Sequence, residues 1–200
     1  MVSVNAMEIV GFVAGLASVW LYTRENPLAW PAGILNSGAW AALFWDARLF
    51  LDAGLQLVFV GIGVWGWWQW LRGGPGETEL RVRRTGGREA VALAAMAAAG
   101  TGVLWWAMTT QDDAMPFWDA ATTTCSLIAQ YLLGRKVIGT WWWWIAVDVA
   151  YVGIYAAQEL YLTAALQPVF VVLCVLGLRS WRASLREAER VPAEAAVVPA

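Results

Sequence analysis

Polar side chains stand inside the apolar runs of this 200-residue chain, and several come in matched pairs. Ser37 precedes Trp40 by three positions, and Asp148 precedes Tyr151 by the same three. On a helix that spacing puts a polar head and an aromatic ring on one side. Gln56 and Gln167 occupy the same place in two similar stretches, LFLDAGLQLVFV (49–60) and LYLTAALQPVFV (160–171). Asp119, Thr122, Ser126 and Gln130 follow a 3-4-4 rhythm that forms one helical stripe, and Asn36 stands beside Ser37. Polar groups are costly in hydrocarbon, so each is a candidate for function. Together they offer amide, carboxyl, hydroxyl and aromatic groups. Such a lining suits a flat, polar organic molecule, with rings stacking on rings and a ligand cation free to use an aromatic face. Helix packing is the competing role, above all for the threonines at 122–124. Asp148 lies deep in its run with no Lys or Arg at the same depth.

Other chemistries are excluded. The chain has no His, which removes His metal sites, imidazole acid–base relays and the Ser-His and Cys-His nucleophile systems. It has no phosphate-binding Gly-rich loop ending in Lys-Ser/Thr, no GxSxG and no HExxH. Cys125 and Cys174 sit in apolar runs and read as small hydrophobes. Asp112 and Asp113 read as solvated loop charge. No enzyme, no cofactor and no metal is expected. The net charge of −2 gives no basic field for nucleic acid.

The elements that must position these groups follow from composition. The chain is 60% hydrophobic and only 14% charged, against roughly 25% charged for a soluble domain. Runs long enough to cross about 30 Å of hydrocarbon occur at 7–22, 28–45, 49–71, 89–108, 117–133, 141–157 and 160–178. The first lacks a basic leader and carries Glu8, so it does not read as a cleaved signal peptide. Seven spans put Arg24, Arg72, Arg81, Arg83, Arg84, Arg88, Arg135, Lys136, Arg179, Arg182, Arg186 and Arg190 on one side and Arg48 alone on the other. The positive-inside rule makes the basic side cytoplasmic, with the N-terminus outside and the C-terminus inside. Most of the 16 Trp fall near span ends and read as interfacial anchors. Trp40 sits well inside a span.

A shift of 111 residues lays the first third of the chain on the last third without a gap. Trp30 falls on Trp141, Gly66 on Gly177, Trp70 on Trp181 and Arg24 on Arg135. Copies of three helices with the same orientation need one extra crossing between them, and the fourth span supplies it. The expected fold is an all-α membrane protein of seven transmembrane helices in 3+1+3 parallel repeats. Its units are 1–71, a first triple-helix bundle; 72–114, a cytoplasmic loop and linking fourth helix; 115–181, a second bundle; and 182–200, a cytoplasmic tail. The loop at 72–88 and the tail read as solvated connectors. Parallel repeats place a substrate at their interface near the midplane.

The chain resembles the bacterial PnuC vitamin transporters. The resemblance rests on Trp30-Pro31-x-Gly33, on LFLDAGLQLVFV leading to Gly66-Trp67-Trp68-Gln69-Trp70, and on Asp119-Ala120 with Ser126-Leu127-x-Ala129-Gln130-Tyr131-Leu132. It continues through Arg135-Lys136, Trp141 to Trp144, Ile145, Asp148, Gly153, Tyr155 and Glu159-Leu160-Tyr161-Leu162-Thr163-Ala164, covering about residues 7–181. It implies a fold similar to the SWEET sugar transporters, a homotrimer in the bacterial cytoplasmic membrane, and uptake of nicotinamide riboside by facilitated diffusion. A cytoplasmic kinase would then trap the vitamin by phosphorylation. One departure stands out: Asp148-Val149-Ala150-Tyr151 replaces the family's Asn-x-x-Tyr.

The expected substrate lining is therefore Asn36, Ser37, Trp40, Gln56, Trp118, Asp119, Thr122, Ser126, Gln130, Asp148, Tyr151, Tyr155 and Gln167. Trp40 and Tyr151 would flank a ring, while Gln56, Gln167 and Asp148 would bond amide and ribose. Riboflavin, or thiamine drawn by its positive charge to Asp148, is the alternative cargo. A membrane receptor or subunit with no transport of its own is the alternative of a different class.

Overall fold

The computed structural model describes residues 6–109 and 115–195, so Asp112 and Asp113 lie outside the described residues. Seven α-helices follow in order: α1 (Ala6–Thr23), α2 (Ala29–Asp46), α3 (Phe50–Arg72), α4 (Gly87–Met108), α5 (Pro116–Gly134), α6 (Thr140–Ala157) and α7 (Tyr161–Ala195). Apolar runs form helices here because each backbone polar group then bonds within its own segment. Pro116 opens α5, where a missing N–H removes no helical bond. By length and composition α1, α3, α4 and the stretch Thr163–Arg190 of α7 are apolar enough to cross a membrane. The other three helices, α2, α5 and α6, carry Asn36 and Ser37, the 119–130 stripe, and Asp148.

The helices form a ring of six. Helix α2 packs between α1 and α3, α6 packs between α5 and α7, and the two triplets meet through α1 against α7 and α3 against α5. Helix α4 lies outside the ring against α5. Gly100 lets it approach closely: a Cβ there would stand 2.8 Å from the Thr124 methyl. The linking helix thus packs on one side and encloses nothing.

The 111-residue repeat is carried into three dimensions. A Cβ on Gly66 would lie 2.3 Å from the Trp30 ring, and one on Gly177 would lie 2.4 Å from the ring of Trp141. The Trp70 indole N–H donates to the Leu133 carbonyl at 2.9 Å, and the Trp181 N–H donates to the Tyr22 carbonyl at 3.0 Å. Donors and acceptors are repeat mates, so these two bonds cross between the bundles as a symmetric pair. The turns repeat as well. Glu25 and Lys136 have φ of 54° and 47°, and Arg48 and Glu159 have 62° and 61°. Each is the left-handed residue that ends a helix. The next N–H bonds the carbonyl five residues back (Asn26 to Leu21, Val137 to Leu132, Leu49 to Phe44, Leu160 to Tyr155).

Three expectations change. Trp30, Trp70, Trp141 and Trp181 are not interfacial anchors: they are 0%, 1%, 2% and 0% exposed and meet edge-on, with Tyr22, in the core at the arginine-rich end. Only tertiary contact across the repeats distinguishes them from belt residues such as Trp45 and Trp106, which are exposed. The 72–88 loop is docked rather than solvated. Arg83 and Val137 form a parallel bridge, with Arg83 N–H to Lys136 O and Ile138 N–H to Arg83 O both at 3.0 Å, and Val82 is buried. The segment after 181 is helical to Ala195, with Leu185 buried against the core. At about 1.5 Å per residue, α7 is roughly 50 Å long, more than a bilayer core requires.

Candidate functional site: a central cavity with two unlike walls

A cavity of about 610 Å³ fills the centre of the ring and takes residues from all six helices. That volume lies within the usual range for small-molecule sites. Its floor, toward the arginine-rich end, is the buried aromatic cluster: Tyr22, Leu133 and Trp141 belong to both. Beneath that floor the two Trp–carbonyl bonds tie the bundles together. Lys136 there meets Glu25 at 3.3 Å and lies 4.6 Å over the Trp70 ring. The cavity is closed at this end.

Ten of the thirteen expected residues line the cavity: Asn36, Ser37, Trp40, Gln56, Ser126, Gln130, Asp148, Tyr151, Tyr155 and Gln167. Trp118, Asp119 and Thr122 do not. Trp118 is exposed and packs edge-on with Phe117, and Asp119 is half-buried, one turn nearer the start of α5. Thr122 is buried and donates to the Trp118 carbonyl at 2.9 Å, with Tyr151 against it. Only the later half of the α5 stripe reaches the cavity.

The lining is paired by the repeat but chemically uneven. Gln56 and Gln167 are alike, as are Phe59 and Phe170. Elsewhere the first repeat supplies Gly15, Val19, Ser37, Trp40 and Phe44 where the second supplies Ser126, Gln130, Asp148, Tyr151 and Tyr155. At these five paired positions the first-repeat side is the less polar, with Trp40 and Phe44 ring centroids 5.7 Å apart, although Ser18, Asn36 and Ser37 line the same side. The other is rich in hydrogen-bonding groups, with Tyr151 and Tyr155 stacked at 5.2 Å. Gly11 permits the Trp40 position: a Cβ there would stand 3.0 Å from the indole nitrogen. Gly15 does the same under the Asn36 amide, also at 3.0 Å.

Asp148 is buried, and the Cys174 thiol donates to its Oδ2 at 3.5 Å. Among the described residues no Lys or Arg pairs with it. Cys174 is thus more than a small hydrophobe, since it lines the cavity and holds the carboxyl. Its repeat mate is Gly63, so the repeat carries no sign of this. Phe44 did leave one: it follows Trp40 by four positions and is the mate of Tyr155. Trp30 and Trp141, also mates, keep buried indole N–H groups with no acceptor among the described residues.

Residues 5–183 match the family model described as nicotinamide mononucleotide transporter. The chain belongs to that family. Among its relatives is the nicotinamide riboside transporter PnuC of Escherichia coli strain K12, 26% identical over 207 residues, covering 90% of this chain and 87% of the relative. The riboflavin/roseoflavin transporter RibM of Streptomyces davaonensis is also 26% identical, over 178 residues, covering 87% and 83%. The crystal structure of a vitamin B3 transporter PnuC shares the fold, with a TM-score of 0.70, 20% identity and coverage of 89% of this chain and 81% of that one. As a member of the nicotinamide mononucleotide transporter family, the chain is a multi-pass transporter of the bacterial cytoplasmic membrane and not an enzyme.

Proposed function

We propose that the chain is a uniporter that takes up nicotinamide riboside by facilitated diffusion. The observation that carries this is the pairing of unlike walls at equivalent positions. Nicotinamide riboside joins a flat, positively charged pyridinium ring to a hydroxyl-rich sugar. Trp40 and Phe44 offer faces that stack a ring and favour a cation. Gln130, Asp148, Tyr151 and Tyr155 offer partners for amide and ribose, with Gln56 and Gln167 on either side. Asp148, which has no basic partner among the described residues, suits a cationic ligand. The name of the Escherichia coli relative supports the same cargo. Transport proceeds as the two bundles rock about the central site, with the arginine-rich end cytoplasmic and the N-terminus outside. A cytoplasmic kinase traps the vitamin, and the working assembly is a homotrimer.

One observation favours a second reading: the Streptomyces davaonensis relative, also 26% identical though over a shorter stretch, is named for riboflavin and roseoflavin. Thermal-shift titration of the purified protein with nicotinamide riboside, riboflavin and thiamine separates the cargoes. Nicotinamide riboside should give the largest shift, and a shift with riboflavin or thiamine alone transfers the assignment. Uptake into proteoliposomes should follow the substrate gradient and ignore imposed pH or sodium gradients. A response to either gradient ends the uniporter reading, and binding without uptake makes the chain a receptor.

A further inference from the structure

A second cavity, of about 450 Å³, lies at the arginine-rich end, between the docked loop and the start of α6 and the far part of α7. Three arginines line it, Arg84 in the loop and Arg182 and Arg186 on α7. Thr85, Gly139 and Trp142 complete the polar side of the lining, which contains no acidic residue. Glu189 reaches Arg84 at 3.1 Å and is the one acid that bonds any of the three among the described residues.

Arg182 and Arg186 are four apart on one helical face, where like charges repel unless an anion lies between them. The Arg182 guanidinium is fixed 5.8 Å over the Trp142 ring. The Thr85 hydroxyl oxygen stands 2.5 Å from where a Cβ on residue 139 would be, so only Gly139 lets that oxygen approach the helix start. The repeat does not require these residues. The mates of Trp142, Arg182 and Arg186 are Pro31, Leu71 and Pro75. A planar guanidinium fork matches phosphate oxygens in particular. Trp142 is 56% exposed at the end of its span, the depth at which lipid headgroups lie.

We propose that this cavity binds a phosphate group through Arg84, Arg182 and Arg186, with the Thr85 hydroxyl as a further donor. The source is an anionic phospholipid headgroup of the adjoining leaflet or a free phosphate, and the chemistry is shared. It is separate from the central cavity and does not depend on which vitamin is carried.

The full-length protein in nanodiscs of phosphatidylcholine, with and without phosphatidylglycerol, tests the first source, by native mass spectrometry of retained lipid and by melting temperature. Inorganic phosphate against chloride at equal ionic strength, in neutral detergent, tests the second. The Arg182→Gln/Arg186→Gln protein should bind at least about tenfold more weakly in whichever arm the wild type responds. Arg179→Gln, outside the cavity, should bind as wild type. If the double Gln protein fails to fold, Arg182→Lys/Arg186→Lys keeps the charge and loses the fork, and should weaken binding. A response in the lipid arm or the phosphate arm that the Arg substitutions remove establishes the site and names its source. Equal binding by wild type and variants, or no binding in either arm, overturns it.

Discussion

Glu25 and Lys136 are equivalent residues of the two repeats, 111 positions apart, and they form an ion pair with each other at 3.3 Å. Two equivalent positions can touch only where the axis relating the repeats passes between them. The closed end of the cavity therefore lies on that axis. The paired bonds from Trp70 to the Leu133 carbonyl and from Trp181 to the Tyr22 carbonyl flank it. The ring is held shut there by contacts that each bundle offers to the other in the same way.

The first prediction uses that symmetry. Glu25→Gln or Lys136→Met alone leaves a largely buried charge without its partner, which costs about 3 kcal/mol. Exchanging the charges, Glu25→Lys with Lys136→Glu, should restore most of the lost melting temperature, because the two positions are related by the axis. Melting of the four proteins in one detergent checks this. A double exchange no more stable than the single variants would contradict the placement of the pair.

Glycines 66 and 177 should behave alike and unlike Gly61. Ala at 66 or 177 puts a methyl 2.3 or 2.4 Å from a Trp ring that is itself fully packed, an overpacking worth about 1–3 kcal/mol or more. Gly61 faces open space in the same helix, so Ala there should be neutral or stabilising by up to about 1 kcal/mol. Yield of monodisperse protein and melting temperature report the difference.

Asp148→Asn discriminates by charge. Loss of the carboxylate should weaken nicotinamide riboside and thiamine by about tenfold or more, on the scale of a charge-assisted hydrogen bond. Riboflavin, which carries no positive charge, should bind as before. Calorimetric titration of wild type and variant with the three vitamins is the measurement. An equal loss for all three would make Asp148 a packing residue.

Gln56→Ala and Tyr151→Ala should abolish specific vitamin binding, each with expression and melting temperature close to wild type. Both side chains line the cavity, and the contact of Tyr151 with Thr122 lies within the second bundle. Wild-type affinity in both variants would move the site elsewhere.

The amino-acid sequence by itself determined the seven helices, the repeat and the helix ends except that of α7, which runs on to Ala195. Apolar runs of membrane length, basic residues concentrated in alternate turns and the 111-residue register are local or additive signals, legible without contacts. Most of the lining was legible for the same reason: a polar group in hydrocarbon must face the interior, and the repeat paired Gln56 with Gln167 and Ser37 with Asp148. Tertiary structure decided what depends on neighbours. Trp30 and Trp45 are the same residue type near span ends, yet one is core and the other faces outward, because only Trp30 meets a glycine, Gly66, at its ring. Thr122 and Ser126 share one stripe, yet only Ser126 reaches the cavity, since Tyr151 of α6 lies against Thr122. The bond from Cys174 to Asp148, the docking of Val82 and the ion pair of Arg84 with Glu189 join residues far apart in sequence. No periodicity records such pairings, and only the closed ring brings them together.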